Sequence, residues 1–72
     1  MNEQLRKIMA EVLELDPNAI NEDTSVGNQP KWDSLRHMSL IFAVEEGFVV
    51  RFEDDQLPEL TSVAAFERAL VR

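Results

Sequence analysis

The sequence contains no cysteine, one histidine, and no apolar run near the length of a membrane span. Without cysteine the chain forms no disulfide and offers no thiolate ligand to a metal. A membrane-spanning helix needs about 20 consecutive apolar residues, and every apolar segment here is shorter. Met1 is followed by Asn2 and Glu3 rather than by a basic and then apolar leader, so we expect no secretory signal and a cytoplasmic protein.

Basic residues are also scarce. The chain has 7 lysines and arginines against 14 aspartates and glutamates, which gives a net charge of -7. A protein that binds nucleic acid needs a basic face, so this balance argues against that function. The negative charge suits encounters with partners that carry basic patches, although solubility alone is the simpler explanation of it.

The first part of the chain predicts one helix followed by a long connection. Apolar residues recur at helical spacing from Glu3 to Leu15, and Pro17 ends the pattern because the residue before a proline avoids the helical region. Residues 16–33 contain two prolines, a glycine and several turn-forming polar residues, so we expect a loop that must be anchored to the domain. The predicted buried residues are Leu5, Ile8, Met9, Val12 and Leu13 in the helix, and Ile20, Val26 and Trp32 in the loop.

A second helix, predicted over residues 32–48, has more apolar surface than a helix of a small domain needs. Asp33 and Ser34 are both good N-caps, and Gly47 is predicted to end the helix. One apolar stripe is enough to cover a core, so a second stripe indicates either a deeper core or a surface that other molecules contact. The first stripe contains Leu40, Ile41, Val44 and Phe48, and the second contains Leu35, Met38 and Phe42.

The last third of the chain predicts one short and one longer helix. Residues 49–52 are apolar enough for a strand, but no partner strand is predicted and an isolated strand is unstable. Residues 53–57 fit a helical turn that Pro58 stops, and Thr61 or Ser62 caps a final helix that runs to about Arg72. We therefore predict one all-α domain over residues 1–72, a small bundle of three main helices and one short helix with a long first loop. The inward-facing residues of the final helix are Val63, Phe66, Ala69 and Leu70, and Arg68 and Arg72 lie in its last turns.

The sequence contains few residues that could support catalysis or metal binding. A Ser-His-Asp site would need Ser34, His37 and a buried aspartate to converge, and a 72-residue bundle has little concave surface for a substrate. We interpret His37 as a solvated residue of the first helical turn. The acidic and amide residues between Asp16 and Asp23 do not form a calcium loop, because a loop that starts at Asp16 lacks the required glycine and glutamate positions.

The segment around Ser34 resembles the modification site of acyl carrier proteins. The match consists of Asp33-Ser34-Leu35, the apolar helix that follows, and then Glu45-Glu46 and Phe48. The loop matches as well, with Pro17, Ile20, Asp23-Thr24 and Ser34 in the family's order. The resemblance covers nearly the whole chain and implies the four-helix fold of that family.

The resemblance implies that Ser34 carries covalent 4'-phosphopantetheine, on which an acyl or aminoacyl group travels as a thioester. Asp33 is then expected to assist recognition by a phosphopantetheinyl transferase. The other implied partners are an acyl- or aminoacyl-loading ligase and a downstream acyltransferase or synthase. Because these partners supply the catalysis, the resemblance implies a carrier, expected to be a monomer, and not an enzyme. The expected partner contacts are Leu35, Arg36, Met38, Phe42, Glu45 and Glu46.

The sequence departs from fatty-acid carriers beside the motif. Arg36, His37 and Ser39 replace residues that are commonly acidic or small and polar, and Lys31-Trp32 replaces a glycine and a small residue. We therefore expect a specialised pathway, such as secondary metabolism, modification of a polysaccharide or lipid, or aminoacyl transfer. One alternative is an interaction module with the carrier fold and no prosthetic group. Another is a carrier domain of a larger synthetase, although Met1 and the helices near both termini favour a free-standing protein.

Overall fold

A computed structural model describes residues 1–71, and within them it contains three α-helices and two short 3₁₀ helices. The α-helices are α1 (Glu3–Leu13), α2 (Ser34–Phe48) and α3 (Val63–Leu70). The 3₁₀ helices are Pro17–Ala19 and Leu57–Glu59. No strand occurs in this range, so the predicted all-α fold is confirmed. None of its helices combines the length and apolar character that crossing a bilayer requires.

Helix α1 begins where the sequence predicts and ends earlier. The side chain of Asn2 accepts a hydrogen bond from the backbone N–H of Leu5 at 3.0 Å, which caps the first turn. The helix ends at Leu13 because Glu14 adopts a left-handed conformation with φ of 56°. The predicted end at Leu15, before the proline, was therefore wrong.

Helix α2 runs through the glycine that was predicted to stop it. Gly47 is helical, and the left-handed residue after the helix is Val49, with φ of 55°. A Cβ atom at Gly47 would lie 2.7 Å from Cδ1 of Ile8. The glycine therefore allows α1 and α2 to approach closely, and it does not serve as the C-cap.

Helix α3 is capped by Ser62, whose hydroxyl accepts a hydrogen bond from the N–H of Ala65 at 3.1 Å. The helix ends at Leu70, and the predicted position of Arg72 in the last turn lies outside the described residues. The short helix before α3 differs from its prediction. It spans Leu57–Glu59, so Pro58 lies inside it and does not stop it, which is tolerated because the first turn of a helix leaves backbone N–H groups unpaired.

The core lies between the three α-helices and is closed by residues of the loops. Phe52 is buried without forming a strand, and its ring meets that of Phe66 edge to face at 6.0 Å. The inner stripe of α2 is buried at Leu40, Ile41 and Val44, while Phe48 is half-buried. The buried apolar residues are Leu5, Met9, Ala10, Leu13, Ile20, Trp32, Leu40, Ile41, Val44, Phe52, Leu60, Val63 and Phe66.

The long first loop is anchored by two side chains and by its main chain. Ile20 and Trp32 are buried as predicted, but Val26 is 43% exposed, so its predicted burial was wrong. Val26 contributes its backbone instead, because its N–H donates to the carbonyl of Thr61 at 3.0 Å. The N–H of Val63 donates in return to the carbonyl of Thr24 at 2.9 Å. These two hydrogen bonds attach the middle of the loop to the start of α3.

Candidate functional site

Asp33 caps helix α2 and leaves the hydroxyl of Ser34 free for other contacts. The carboxylate of Asp33 accepts a hydrogen bond from the N–H of Arg36 at 2.8 Å, and its carbonyl accepts one from the N–H of His37 at 2.8 Å. Ser34 is exposed, and its hydroxyl makes no hydrogen bond to any residue of the described chain. Of the two N-cap candidates in the sequence, Asp33 is therefore the one that caps α2.

Arg36 connects the start of α2 to the end of α1. Its guanidinium lies 3.3 Å from the Asp33 carboxylate and 3.5 Å from the Glu14 carboxylate. The ammonium group of Lys31 donates to the carbonyl of Glu14 at 3.1 Å. Ion pairs this exposed stabilise a fold by at most about 1 kcal/mol each, so their main effect is on local charge. They bring the positive groups beside Ser34 next to acidic groups of the same chain.

His37 is not the solvated residue that the sequence predicts. It is half-buried, and its Nδ1 accepts a hydrogen bond from the indole Nε1–H of Trp32 at 3.0 Å. A Ser-His-Asp site needs a carboxylate on the histidine nitrogen that faces away from the serine. Because the indole occupies Nδ1, the ring lacks the carboxylate contact of such a site. In residues 1–71, moreover, no cluster of acidic or histidine side chains is arranged to hold a metal ion.

An open groove lies beside Ser34. It is lined by residues of the first loop, by the start of α2 and by Thr61, which precedes α3. Beyond the serine, three of the six lining side chains are apolar and three are polar, so the groove offers both kinds of contact to a bound chain. The lining residues are Val26, Trp32, Asp33, Ser34, His37, Met38 and Thr61.

The outer stripe of α2 forms an exposed apolar ridge, which we define as Leu35, Met38 and Phe42. These side chains are 80%, 46% and 63% exposed, so the alternative that they belong to the core was wrong. The two acidic residues predicted to contact partners differ from each other. Glu46 is exposed, whereas the Glu45 carboxylate accepts a hydrogen bond from the N–H of Phe52 at 2.8 Å and supports the fold.

The described residues thus form a small helical bundle with a free serine hydroxyl at a helix start. A groove and an exposed apolar ridge lie beside that serine. Comparison with known proteins identifies the family. A family model described as a phosphopantetheine attachment site matches residues 3–70. The acyl carrier protein of Caulobacter vibrioides is 34% identical over 61 residues, which cover 85% of this chain and 78% of that protein.

Two further relatives agree with this match. The acyl carrier protein of Campylobacter curvus is 31% identical over 62 residues, covering 86% of this chain and 80% of the relative. That of Cylindrotheca sp. is 33% identical over 60 residues, covering 83% and 75%. The chain belongs to the acyl carrier protein family. It is accordingly a carrier and not an enzyme, and the prosthetic group of its family is covalently attached 4'-phosphopantetheine.

The described residues fit this group. Attachment through a phosphodiester requires an exposed hydroxyl and space beside it, and Ser34 meets both requirements. Sequence reasoning missed the contact between Trp32 and His37 and the part that Val26 and Thr61 play in the groove. The sequence signal for the first was a lone tryptophan five positions before a lone histidine, since a buried indole N–H requires an acceptor. No sequence pattern predicted the groove, because its lining by Val26 and Thr61 depends on how the first loop packs against the start of α3.

Proposed function

We propose that this chain carries an acyl or aminoacyl group in a specialised pathway, on 4'-phosphopantetheine attached to Ser34, as a single carrier domain over residues 1–72. The observation that supports the proposal is that Asp33, and not Ser34, caps the start of α2. Asp33 satisfies the backbone N–H of Arg36 at 2.8 Å, so the neighbouring serine hydroxyl can be modified without loss of the cap. The negative charge of a phosphodiester is also favourable at this end of a helix.

The chain presents Ser34 as a nucleophile but supplies no base for it. Within residues 1–71 no side chain accepts a hydrogen bond from that hydroxyl, so the transferase has to remove its proton. One carboxylate oxygen of Asp33 lies 3.3 Å from the guanidinium of Arg36 in a contact that is exposed to solvent. This oxygen remains available to the transferase. The group supplies, when bound, a terminal thiol that holds the cargo as a thioester. The chain supplies the attachment point and a surface for the partner enzymes.

We propose the apolar ridge as the docking surface for those enzymes. Leu35 and Phe42 are more than half exposed, and apolar side chains that protrude in this way are common at protein interfaces. Met38 adds a side chain that adapts to different partners. Glu46 and Arg36 border the ridge, with Glu45 contributing only the part of its carboxylate that the fold leaves free.

The local charge supports a specialised pathway. The first two turns of α2 contain Arg36 and His37 and no acidic residue, and Arg36 lies within 3.5 Å of the carboxylates of Asp33 and Glu14. The surface beside Ser34 is therefore close to neutral, although the whole chain carries a charge of -7. A carrier with a strongly acidic helix requires partners with a basic docking surface. We infer that the loading ligase and the acyltransferase or synthase of this chain have docking surfaces that are more apolar and less basic than that.

The test is to incubate the protein with coenzyme A, magnesium and a broad-specificity phosphopantetheinyl transferase and to measure its mass. We expect one adduct on the wild type and on Ser39→Ala, a matched control because Ser39 is an exposed serine of the same helix. We expect none on Ser34→Ala. An unmodified wild type, or a modified Ser34→Ala variant, would refute attachment at Ser34.

The protein isolated from its host distinguishes the carrier from an interaction module without a prosthetic group. A carrier is recovered with the adduct, whereas the module is recovered unmodified. The proposal also includes a cytoplasmic monomer. Light scattering during size-exclusion chromatography measures the oligomeric state, and a dimer would contradict that part of the proposal.

A further inference from the structure

The indole of Trp32 holds the imidazole of His37 in one orientation. The two rings lie 6.1 Å apart at an angle of 30°, and Nε1 of the indole lies 3.0 Å from Nδ1 of the imidazole. An indole nitrogen only donates, so Nδ1 accepts, and the hydrogen of the neutral imidazole is on Nε2. Trp32 is itself fixed, because it is 3% exposed and packs against Phe66 at 6.1 Å. His37 therefore presents Nε2–H as a donor of fixed direction.

His37 and Ser34 are neighbours on α2. Residues three apart on a helix are neighbours, with Cβ atoms about 5–6 Å apart, and their side chains lean towards the start of the helix. Ser34 and His37 also line the same groove. The hydrogen bond from Trp32 is the only one that the imidazole makes to the described part of the chain. Its Nε2–H is consequently free to bind a group attached at Ser34.

We propose that His37 is a positioning residue for the prosthetic group, donating a hydrogen bond from Nε2 to a phosphodiester oxygen on Ser34. The inference rests on the proposed attachment at Ser34. A phosphodiester carries a negative charge and only accepts hydrogen bonds, so a neutral imidazole with Nε2–H is a matching partner. Because Trp32 already fixes the ring, little side-chain freedom is lost when the contact forms. A group held in this way would lie beside the groove that Met38 and Thr61 help to line.

Two variants of His37 test the roles of the two imidazole nitrogens separately. In His37→Asn, the side-chain oxygen takes the place of Nδ1, so the variant keeps an acceptor for Trp32 but has no donor at the position of Nε2. In His37→Gln, the amide nitrogen takes the place of Nε2 and keeps the donor. Wild type and both variants are loaded from coenzyme A by a phosphopantetheinyl transferase. Phosphorus and proton–nitrogen NMR spectra of all three proteins are then recorded at the same mildly alkaline pH.

We expect the mass of the Ser34 adduct on all three proteins. In the wild type, loading should slow the exchange of the imidazole Nε2–H with water. It should also move the single indole cross-peak of Trp32, because a polarised imidazole is a stronger acceptor. The phosphorus resonance of loaded His37→Gln should match that of the wild type, and that of His37→Asn should differ from both.

Each outcome decides one question. An adduct on Ser34 with a phosphorus resonance common to all three proteins, and with unchanged Nε2–H exchange, would overturn the role of His37 and leave the attachment intact. No adduct on any of them would overturn the attachment and the inference together. The comparison of unloaded and loaded wild type needs no substitution, so a variant that fails to fold does not remove the test.

Discussion

Val49→Gly should stabilise the fold without touching the residues around Ser34. Val49 ends helix α2 in a left-handed conformation with φ of 55° and ψ of 50°. Such a conformation is unusual for a β-branched residue, because its Cβ approaches the following carbonyl. The side chain is 89% exposed, so its removal costs little packing. Glycine is the residue that adopts this conformation without strain.

The expected gain is about 1 kcal/mol in the free energy of unfolding. Relief of the left-handed strain contributes about 1–2 kcal/mol. The greater freedom of glycine in the unfolded chain removes about 0.4–1 kcal/mol of this. In a domain of this size, a net 1 kcal/mol raises the melting temperature by about 4–8 °C.

Thermal and urea unfolding, followed by circular dichroism, measure the effect. Val49→Ala is the control that keeps a Cβ atom, and it should recover a smaller part of the gain. Glu14→Gly is a second control, since Glu14 has the same backbone conformation, with φ of 56°, but its carboxylate also lies 3.5 Å from Arg36. Its gain should be smaller than that of Val49→Gly. A melting temperature of Val49→Gly at or below that of the wild type would show that the backbone at Val49 is not strained, and the reasoning would fail.

The remaining predictions concern two caps and one buried contact. Asp33→Asn keeps a good N-cap, so its unfolding free energy should change by less than about 0.5 kcal/mol. Its rate of loading by the transferase should nevertheless fall about tenfold with the lost charge, and an unchanged rate in a mass-spectrometric time course would contradict a role in recognition. Ser62→Ala removes the acceptor of the Ala65 N–H and should lower the stability in urea by about 1 kcal/mol, whereas a neutral effect would show that the cap is replaced by water. Glu45→Ala leaves the N–H of Phe52 without its acceptor and should cost about 1–3 kcal/mol, while Glu45→Gln should lose less because its amide oxygen still accepts; equal losses would contradict this explanation.

The helices and the exposed site were predictable because they depend on local patterns. The two stripes of α2 separated into a buried and an exposed face, as the spacing of Leu40 and Phe42 indicates. Asp33 and Ser34 are adjacent N-cap candidates, and only one residue can cap. That local competition leaves one of the two without a capping role, and the apolar stripe beside Ser34 and the resemblance to acyl carrier proteins indicated that it is Ser34.

The ends of the helices were not predictable, because the residues there do not follow local preference. Glu14 and Val49 adopt a conformation that usually requires glycine, while the glycine predicted to end α2 is helical and lies against Ile8. These choices depend on how α1 and α2 pack. The contact of Trp32 with His37 was missed for a related reason. It depends on the path of the backbone just before α2, and residue types alone do not specify that path.

The attachment of the first loop to the start of α3 affects the width of the groove beside Ser34. Val26 and Thr61 both border this groove, and a main-chain hydrogen bond of 3.0 Å joins them. A second hydrogen bond, from Val63 to Thr24, joins the same two segments at another point. We therefore expect Val26 and Thr61 to move together, so that the width of the groove follows the distance between α2 and this joined pair.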